Sequence, residues 1–241
     1  MKNSITDKVG KDTLDVIGEA DRFNHWMFQT IYPFSFGKIM EIGSGLGNIS
    51  RFYINNGDKI MLTDLREEYC SSLQDKFGSN QNLLGIDQLN LIHPEFEQYY
   101  KEHLEKYDTV FALNVIEHIK DDSLAINNCK KLLKKEGHLI ILVPSYQKLY
   151  NRFDKELGHF RRYTIDSLSH LFIENELEII HKKYFNFIGF FGWYISGRLL
   201  KKNTIPSNQM KIYNQLVPVW KRVDQLIKNR VGLSTIVVGK K

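Results

Sequence analysis

The chain predicts an α/β fold, a doubly wound parallel sheet with helices on both faces. Three observations carry that prediction. Short apolar runs at 38–42, 59–64, 82–86, 107–113 and 138–144 alternate with segments of helical periodicity. The first run stops at a glycine-rich turn, Gly43-Ser44-Gly45-Leu46-Gly47. Acids or amides stand at or near the run ends, at Glu41, Asp64, Asp87 and Asn114. Successive βα units in one sheet bring these ends to one edge, where such sheets bind ligands.

In chain order, residues 1–17 are mixed and polar and read as a loose start. Over 18–31, Phe23, Met27 and Ile31 recur at helical spacing with Trp26 beside them, and Pro33 and Gly37 close the segment. This helix leads toward the glycine turn, so Asn24 and Trp26 are candidates to cover a ligand. In the turn, Gly43 and Gly45 permit positive φ and close approach of a ligand, while Gly47 lets the next helix pack near the strand. Residues 49–54 suit that helix, and Asn55-Asn56-Gly57-Asp58 ends it. The second run ends in Asp64, placed to accept hydrogen bonds from two ribose hydroxyls or to cap the following helix. The third is followed by Asp87 and Gln88. Residues 94–105 read as an exposed helix. A fourth strand at 107–113 leads into Asn114-Val115-Ile116-Glu117-His118. A surface helix over 121–135 ends at Gly137, and a fifth strand, apolar on both faces, reads as central.

Length and composition bound the answer. The 241 residues, 42% apolar and 25% charged, suit a single globular domain with an elaboration. Cys70 and Cys129 have no metal-ligand spacing and read as reduced thiols in a cytoplasmic protein without an apolar leader. Charge is polarised. Residues 1–180 hold 21 Lys/Arg against 27 Asp/Glu, whereas 181–241 hold 12 Lys/Arg against Asp224 alone. A basic C-terminal end points to an anionic partner or to a solvated basic face.

The turn reads G-x-G-x-G, not the G-x-G-x-x-G of dinucleotide sites, which weakens an NAD-dependent oxidoreductase. With Glu41 to Gly47, Asp64, Asp87, Asn114 to His118, Pro144 and the 233–238 end, the chain resembles the class I S-adenosylmethionine (SAM)-dependent methyltransferases. The resemblance covers about residues 18–180. It implies a Rossmann-like seven-stranded sheet of order 3-2-1-4-5-7-6, with an antiparallel last strand and a helical insertion before it. The chain then divides into a cap helix (18–36), a SAM-binding core (37–184), a helical lid (185–229) and the last strand (230–241). It also implies that SAM is the cofactor. Glu41, Gly43, Ser44, Gly45 and Gly47 would hold its methionine end, Asp64 the ribose, Leu65 and Asp87 the adenine, and Asn114 would lie beside the sulfonium. Trp26 would cover it.

Methyl transfer needs a positioned acceptor, and a base only where the acceptor loses a proton. The long connection after the fifth strand, rich in aromatic and ionisable residues, is the candidate acceptor region. Within it, Gly158-His159-Phe160-Arg161-Arg162-Tyr163-Thr164 resembles a piece found in a bacterial subgroup acting on small or lipid-linked molecules. His159 is the first candidate base and His118 the second. Arg161 or Arg162 is read as binding an anionic acceptor group, and Tyr146, Tyr150 and Tyr163 as lining an aromatic pocket. Asn114-x-x-Glu117-His118 also resembles a Glu-x-x-Glu-His element with which some methyltransferases hold a metal. Asn114 removes one hard ligand, and no metal is expected.

In the insertion, 187–195 is apolar but too short to span a bilayer, and Arg198, Lys201 and Lys202 follow. Ile212, Leu216, Trp220, Val223 and Ile227 mark an amphipathic helix kinked near Pro218, read as a packed lid or as one resting on an anionic bilayer. The leading functional expectation is O-methylation of a hydrophobic, aromatic or lipid-linked small molecule by a cytoplasmic or peripheral membrane enzyme. The alternatives are RNA or protein N-methylation, with nucleic acid disfavoured because no RNA-binding module is recognisable, and a non-catalytic SAM-binding subunit.

Overall fold

The structure is a computed structural model that describes residues 8–193 and 207–241. It contains a seven-stranded sheet of order β3-β2-β1-β4-β5-β7-β6. The strands are β1 (Lys38–Ile42), β2 (Lys59–Asp64), β3 (Leu83–Gln88), β4 (Tyr107–Leu113), β5 (Leu133–Pro144), β6 (Glu178–Phe185) and β7 (Ser234–Lys240). The first five run parallel, and β7 pairs antiparallel with both β5 and β6.

Strand periodicity of two divides the core between the sheet faces. On β4 and β5, Val110, Ala112, Leu139, Ile141 and Val143 join one buried cluster, while Phe111, Ile140 and Leu142 join the other. The first cluster is completed by helices α6 (Asp122–Leu132) and α8 (Ile165–Glu174). The second is completed by α2 (Asp21–Ile31) and α3 (Ser50–Asn55), with Tyr53 stacked on Phe111 at 5.1 Å. Helix α4 (Glu67–Phe77) follows β2, and the short α5 (Phe96–Tyr99) precedes β4.

Four local expectations are corrected. The polar start contains α1 (Lys8–Gly18), whose Gly10, Thr13, Leu14 and Ile17 share one face against the site. The predicted helix at 94–105 is α5 followed by a 3₁₀ turn, and Phe96 and Tyr100 are buried beneath it. Helix α6 stops at Leu132 and β5 begins at once, because Leu133 already pairs with Tyr107 of β4. In the insertion, α10 (Ser207–Gln215) and α11 (Val217–Leu226) meet at Leu216, with Pro218 in the first turn of α11, where its missing N–H costs nothing. Their inward face is Tyr213, Val217, Trp220 and Asp224, whereas Ile212 and Leu216 are exposed.

These helices are tied to the rest of the chain by polar bonds. Phe23 N–H donates to Asn214 Oδ1 (3.0 Å) and Arg22 Nη1 to the Gln215 carbonyl (3.0 Å). Buried Asp224 accepts from the N–H groups of Asn186 (2.7 Å) and Phe187 (2.9 Å), fixing the start of α9 (Phe187–Trp193). The apolar Tyr194 and Ile195 and the basic Arg198, Lys201 and Lys202 lie outside the described residues. Among the described residues, no helix is long and apolar enough to cross a membrane.

Candidate functional site

A cavity of about 640 Å³ opens beyond the C-terminal ends of β1, β2, β4 and β5, where the topology directed a site. One half is built by the glycine turn. Gly43, Gly45 and Gly47 all have positive φ (71°, 52° and 74°). A Cβ on Gly43 would fall 2.5 Å from Val115 Cγ2, so only glycine fits beneath the loop that follows β4. Gly45 N–H donates to Asp64 Oδ2 (2.9 Å) and Arg66 N–H to Asp64 Oδ1 (3.0 Å). The acid that ends β2 therefore clamps the turn, and each of its oxygens keeps a further lone pair. Leu65, more than half exposed, forms an apolar shelf beside it. Asn114 lines the same half in a left-handed conformation (φ 56°) that asparagine tolerates better than most residues.

Glu41 is buried at the end of β1, and Ser50 donates a short hydrogen bond to it. Burial outweighs the serine hydrogen bonds and pushes its carboxyl up to about 8. The Asp64 carboxyl is also raised by burial, against the opposing backbone N–H groups. Two buried acids thus flank the turn, Asp64 with the Arg66 charge near it and Glu41 with serine hydroxyls alone, and among the described residues buried Asn24 Oδ1 has no hydrogen-bond partner. A ligand bearing an ammonium and vicinal hydroxyls satisfies this set, so the site fits SAM. Helix α1 roofs this half, with Leu14 against Gly45 and Asn48 Nδ2 donating to the Leu14 carbonyl (3.2 Å).

The other half is built by the connection after β5 and by α9 and α10. Helix α7 (Arg152–Glu156) starts with a capping box between Asn151 and Asp154, which turns Asp154 inward. Asp154 is fully buried and binds His159 Nδ1 (2.9 Å) and Arg162 Nε (2.8 Å). Burial acts to raise its carboxyl, but the His159 hydrogen bond and the Arg162 charge hold it below the usual carboxylate range. His159 meets His118 edge to face, with ring centroids 4.6 Å apart. Burial, and then the neighbouring His159 and Arg66, push His118 down to about 4, which leaves it neutral near pH 7. Glu117 is 0% exposed, both its oxygens lack a hydrogen-bond partner, and burial pushes its carboxyl up to about 8. Phe153, Trp193, Phe185 and Tyr213 provide apolar walls, with Arg162 stacked 4.5 Å over Trp193.

Of the sequence-derived site residues, Glu41, Gly43, Ser44, Gly45, Asp64, Leu65, Asn114, His118, His159 and Arg162 line this one cavity. The others stand off its wall. Trp26 packs into the core on Phe185 (4.4 Å), and Asn24, on the opposite side of α2, takes the cavity position. Gly47 serves packing, since a Cβ there would meet Phe77 at 2.4 Å. Asp87 faces outward to His103 (2.9 Å), and Leu89 to Ile92, just beyond β3, form the wall instead. Arg161 is committed to Asp122 (2.8 Å) and the Lys120 carbonyl (2.6 Å), and Arg162 to Asp154, so neither is available for an anionic acceptor. Tyr146 stacks on Tyr184 (5.0 Å), Tyr150 donates to the His159 carbonyl (2.7 Å), and Tyr163 donates to Asp122 (2.8 Å), all as scaffolding. Sequence reasoning missed Asp154, Trp193 and the lining face of α1. The five-residue spacing from Asp154 to His159 was the available signal for the first.

Residues 40–139 match a family model described as a methyltransferase domain. A highly reducing polyketide synthase of Pyrenophora dematioidea is 28% identical over 152 residues, which is 59% of this chain and 6% of that protein. The chain therefore spans a small fraction of this relative's length. A ubiquinone biosynthesis O-methyltransferase of Actinobacillus pleuropneumoniae is 29% identical over 103 residues, 42% of this chain and 43% of that one. A SAM-dependent methyltransferase from Archaeoglobus fulgidus shares the fold, with a TM-score of 0.59, 14% identity and coverage of 92% and 94% of the two chains. The matched segment runs from β1 into β5, through the glycine turn, Asp64 and Asn114, and the reversed β7 completes the strand order that distinguishes this fold. From β1 into β5 the chain is thus similar to methyltransferase domains, and its sheet has the fold of a SAM-dependent methyltransferase.

Proposed function

We propose that this protein transfers the SAM methyl group to an oxygen of a small, largely apolar acceptor bound between the His118–His159 edge and the Trp193 wall. The observation that carries this reading is the continuity of one cavity from the glycine turn to the two histidines. Donor and acceptor halves that share one largely apolar space meet the need for in-line displacement, in which positioning supplies most of the acceleration. SAM provides an already activated methyl, so the protein's tasks are to orient the two reactants and to let the acceptor lose its proton. We assign control of that proton to His118 and His159, with Asp154 holding the His159 ring. Aromatic walls, and the commitment of Arg162 to Asp154 among the described residues there, favour an uncharged acceptor group.

Carbon methylation is the second reading. The similarity to a polyketide synthase supports it, because chains of that class carry carbon acids between carbonyls. Delivery of a hydrophobic, lipid-linked acceptor from an anionic bilayer is supported by exposed Ile212, Leu216, Val219 and Leu226 beside Arg222 on α10 and α11. Transfer of label from methyl-labelled SAM into small-molecule, lipid and RNA fractions tests the assignment. Label in the small-molecule or lipid fraction is expected, and label confined to RNA or protein would contradict it. Flotation with anionic liposomes at low salt tests the bilayer contact, and no binding would remove it.

A further inference from the structure

Glu117, His118 and His159 each offer one ligand atom, and the three atoms lie within 4.8 Å of one another on the cavity wall. We propose that they hold a divalent transition-metal ion with its open coordination positions toward the acceptor half of the cavity. The expectation of no metal rested on Asn114 standing where a first carboxylate was sought. The fold supplies a different third donor, His159, carried in by the loop after β5, whose Phe160 N–H donates to the Glu117 carbonyl (2.8 Å).

Four features point to a cation. Both Glu117 oxygens are buried without a partner, an arrangement that costs free energy unless something positive or proton-donating completes it. His118, on the exposed side, brings a ring nitrogen to the same point. Asp154 occupies His159 Nδ1, which fixes the tautomer and leaves Nε2 for a ligand bond, the carboxylate–histidine pairing typical of metal sites. Arg162 does not compete for the place, because it is committed to Asp154 and the Ser145 carbonyl. Two imidazoles and one carboxylate suit Zn²⁺, Mn²⁺ or Fe²⁺ better than Mg²⁺ or Ca²⁺, which prefer all-oxygen sets. Three protein ligands leave room for water or for an acceptor oxygen, which the ion would polarise, so that with metal bound the two histidines act on the acceptor proton through the ion and not as free bases. That last role rests on the methyl-transfer reading, whereas metal binding itself does not.

The full chain, stripped with EDTA and dialysed, is titrated with MnCl₂ and ZnCl₂ by calorimetry, with MgCl₂ as the comparison ion and Mn²⁺ electron paramagnetic resonance as the second readout. The expected result is one equivalent of tightly bound Mn²⁺ or Zn²⁺, much weaker Mg²⁺ binding, and affinity lowered at least about 100-fold in Glu117→Gln and His159→Gln. SAM calorimetry and melting curves on the same variants show that they are folded. Absence of saturable Mn²⁺ and Zn²⁺ binding by the wild type, or equal binding by the folded variants, overturns the proposal. Metal-free protein that still binds SAM and transfers its methyl would leave the methyltransferase reading and the binding site standing and defeat only the ion's polarising role. Failure to bind SAM with or without metal would defeat the methyltransferase reading instead.

Discussion

Glu41 and Asp64 show how two carboxylates at strand ends acquire different tasks. Asp64 receives two backbone N–H groups and organises the turn, while Glu41 lies deeper with only serine hydroxyls against its desolvation. A carboxyl raised from 4.5 to about 8 favours the neutral form in the folded, ligand-free protein. Its contribution to stability is full below the unfolded value and is lost as pH rises through the folded value. Glu41→Gln, which fixes the neutral state, should match the wild-type melting temperature near pH 4.5 and gain on it progressively toward pH 8. Parallel pH-dependent melting curves for the two proteins would contradict this. The same logic makes wild-type binding of SAM, through its ammonium, release a proton below pH 8, a release absent in Glu41→Gln and measurable by calorimetry in buffers of different ionisation enthalpy.

Among the elements, α1 and α7 carry the site beyond the core sheet. Asp154 in α7 holds His159 and Arg162 together with all three side chains nearly or wholly buried. Asp154→Ala leaves Arg162 without its partner and should lower stability by about 3–5 kcal/mol, seen as a fall in urea midpoint. Arg162→Met with Asp154→Asn should recover much of that loss, because removing both charges avoids a lone buried ion. Leu14 on α1 packs against the turn, so Leu14→Asp should weaken SAM binding about 10-fold or more while moving the melting temperature little. A large melting shift with unchanged affinity would place α1 in the fold instead of the site.

These two elements also mark where the sequence stopped being legible. The strands, the turn and Asp64 were readable because their signals are local: apolar runs, glycine spacing and an acid at a fixed offset. Helix α1 was not, because its site-facing stripe of Gly10, Thr13, Leu14 and Ile17 is only half apolar and is completed by the turn it covers. The meeting of Glu117 and His118 with His159 was hidden for another reason. It joins residues about forty positions apart through a loop whose path is set by the bond from Phe160 to Glu117 and by the Ser145–Tyr163 bridge. Arg161, Arg162 and the three tyrosines looked functional by type, but in the fold they brace the loop.

For the whole molecule, the parallel five-stranded half supplies the glycine-turn side of the cavity, and the antiparallel β6–β7 pair carries helices that wall its other side. The cavity beneath the glycine turn is shaped to hold SAM. Isothermal titration of the full chain with SAM, repeated on Asp64→Ala, tests it most directly. One-to-one binding is expected, weakened about 10- to 100-fold in the variant by loss of the hydrogen bonds that the carboxylate makes to hydroxyls and to the turn. No heat of binding with the wild type, or an affinity that Asp64→Ala leaves unchanged, would contradict the account.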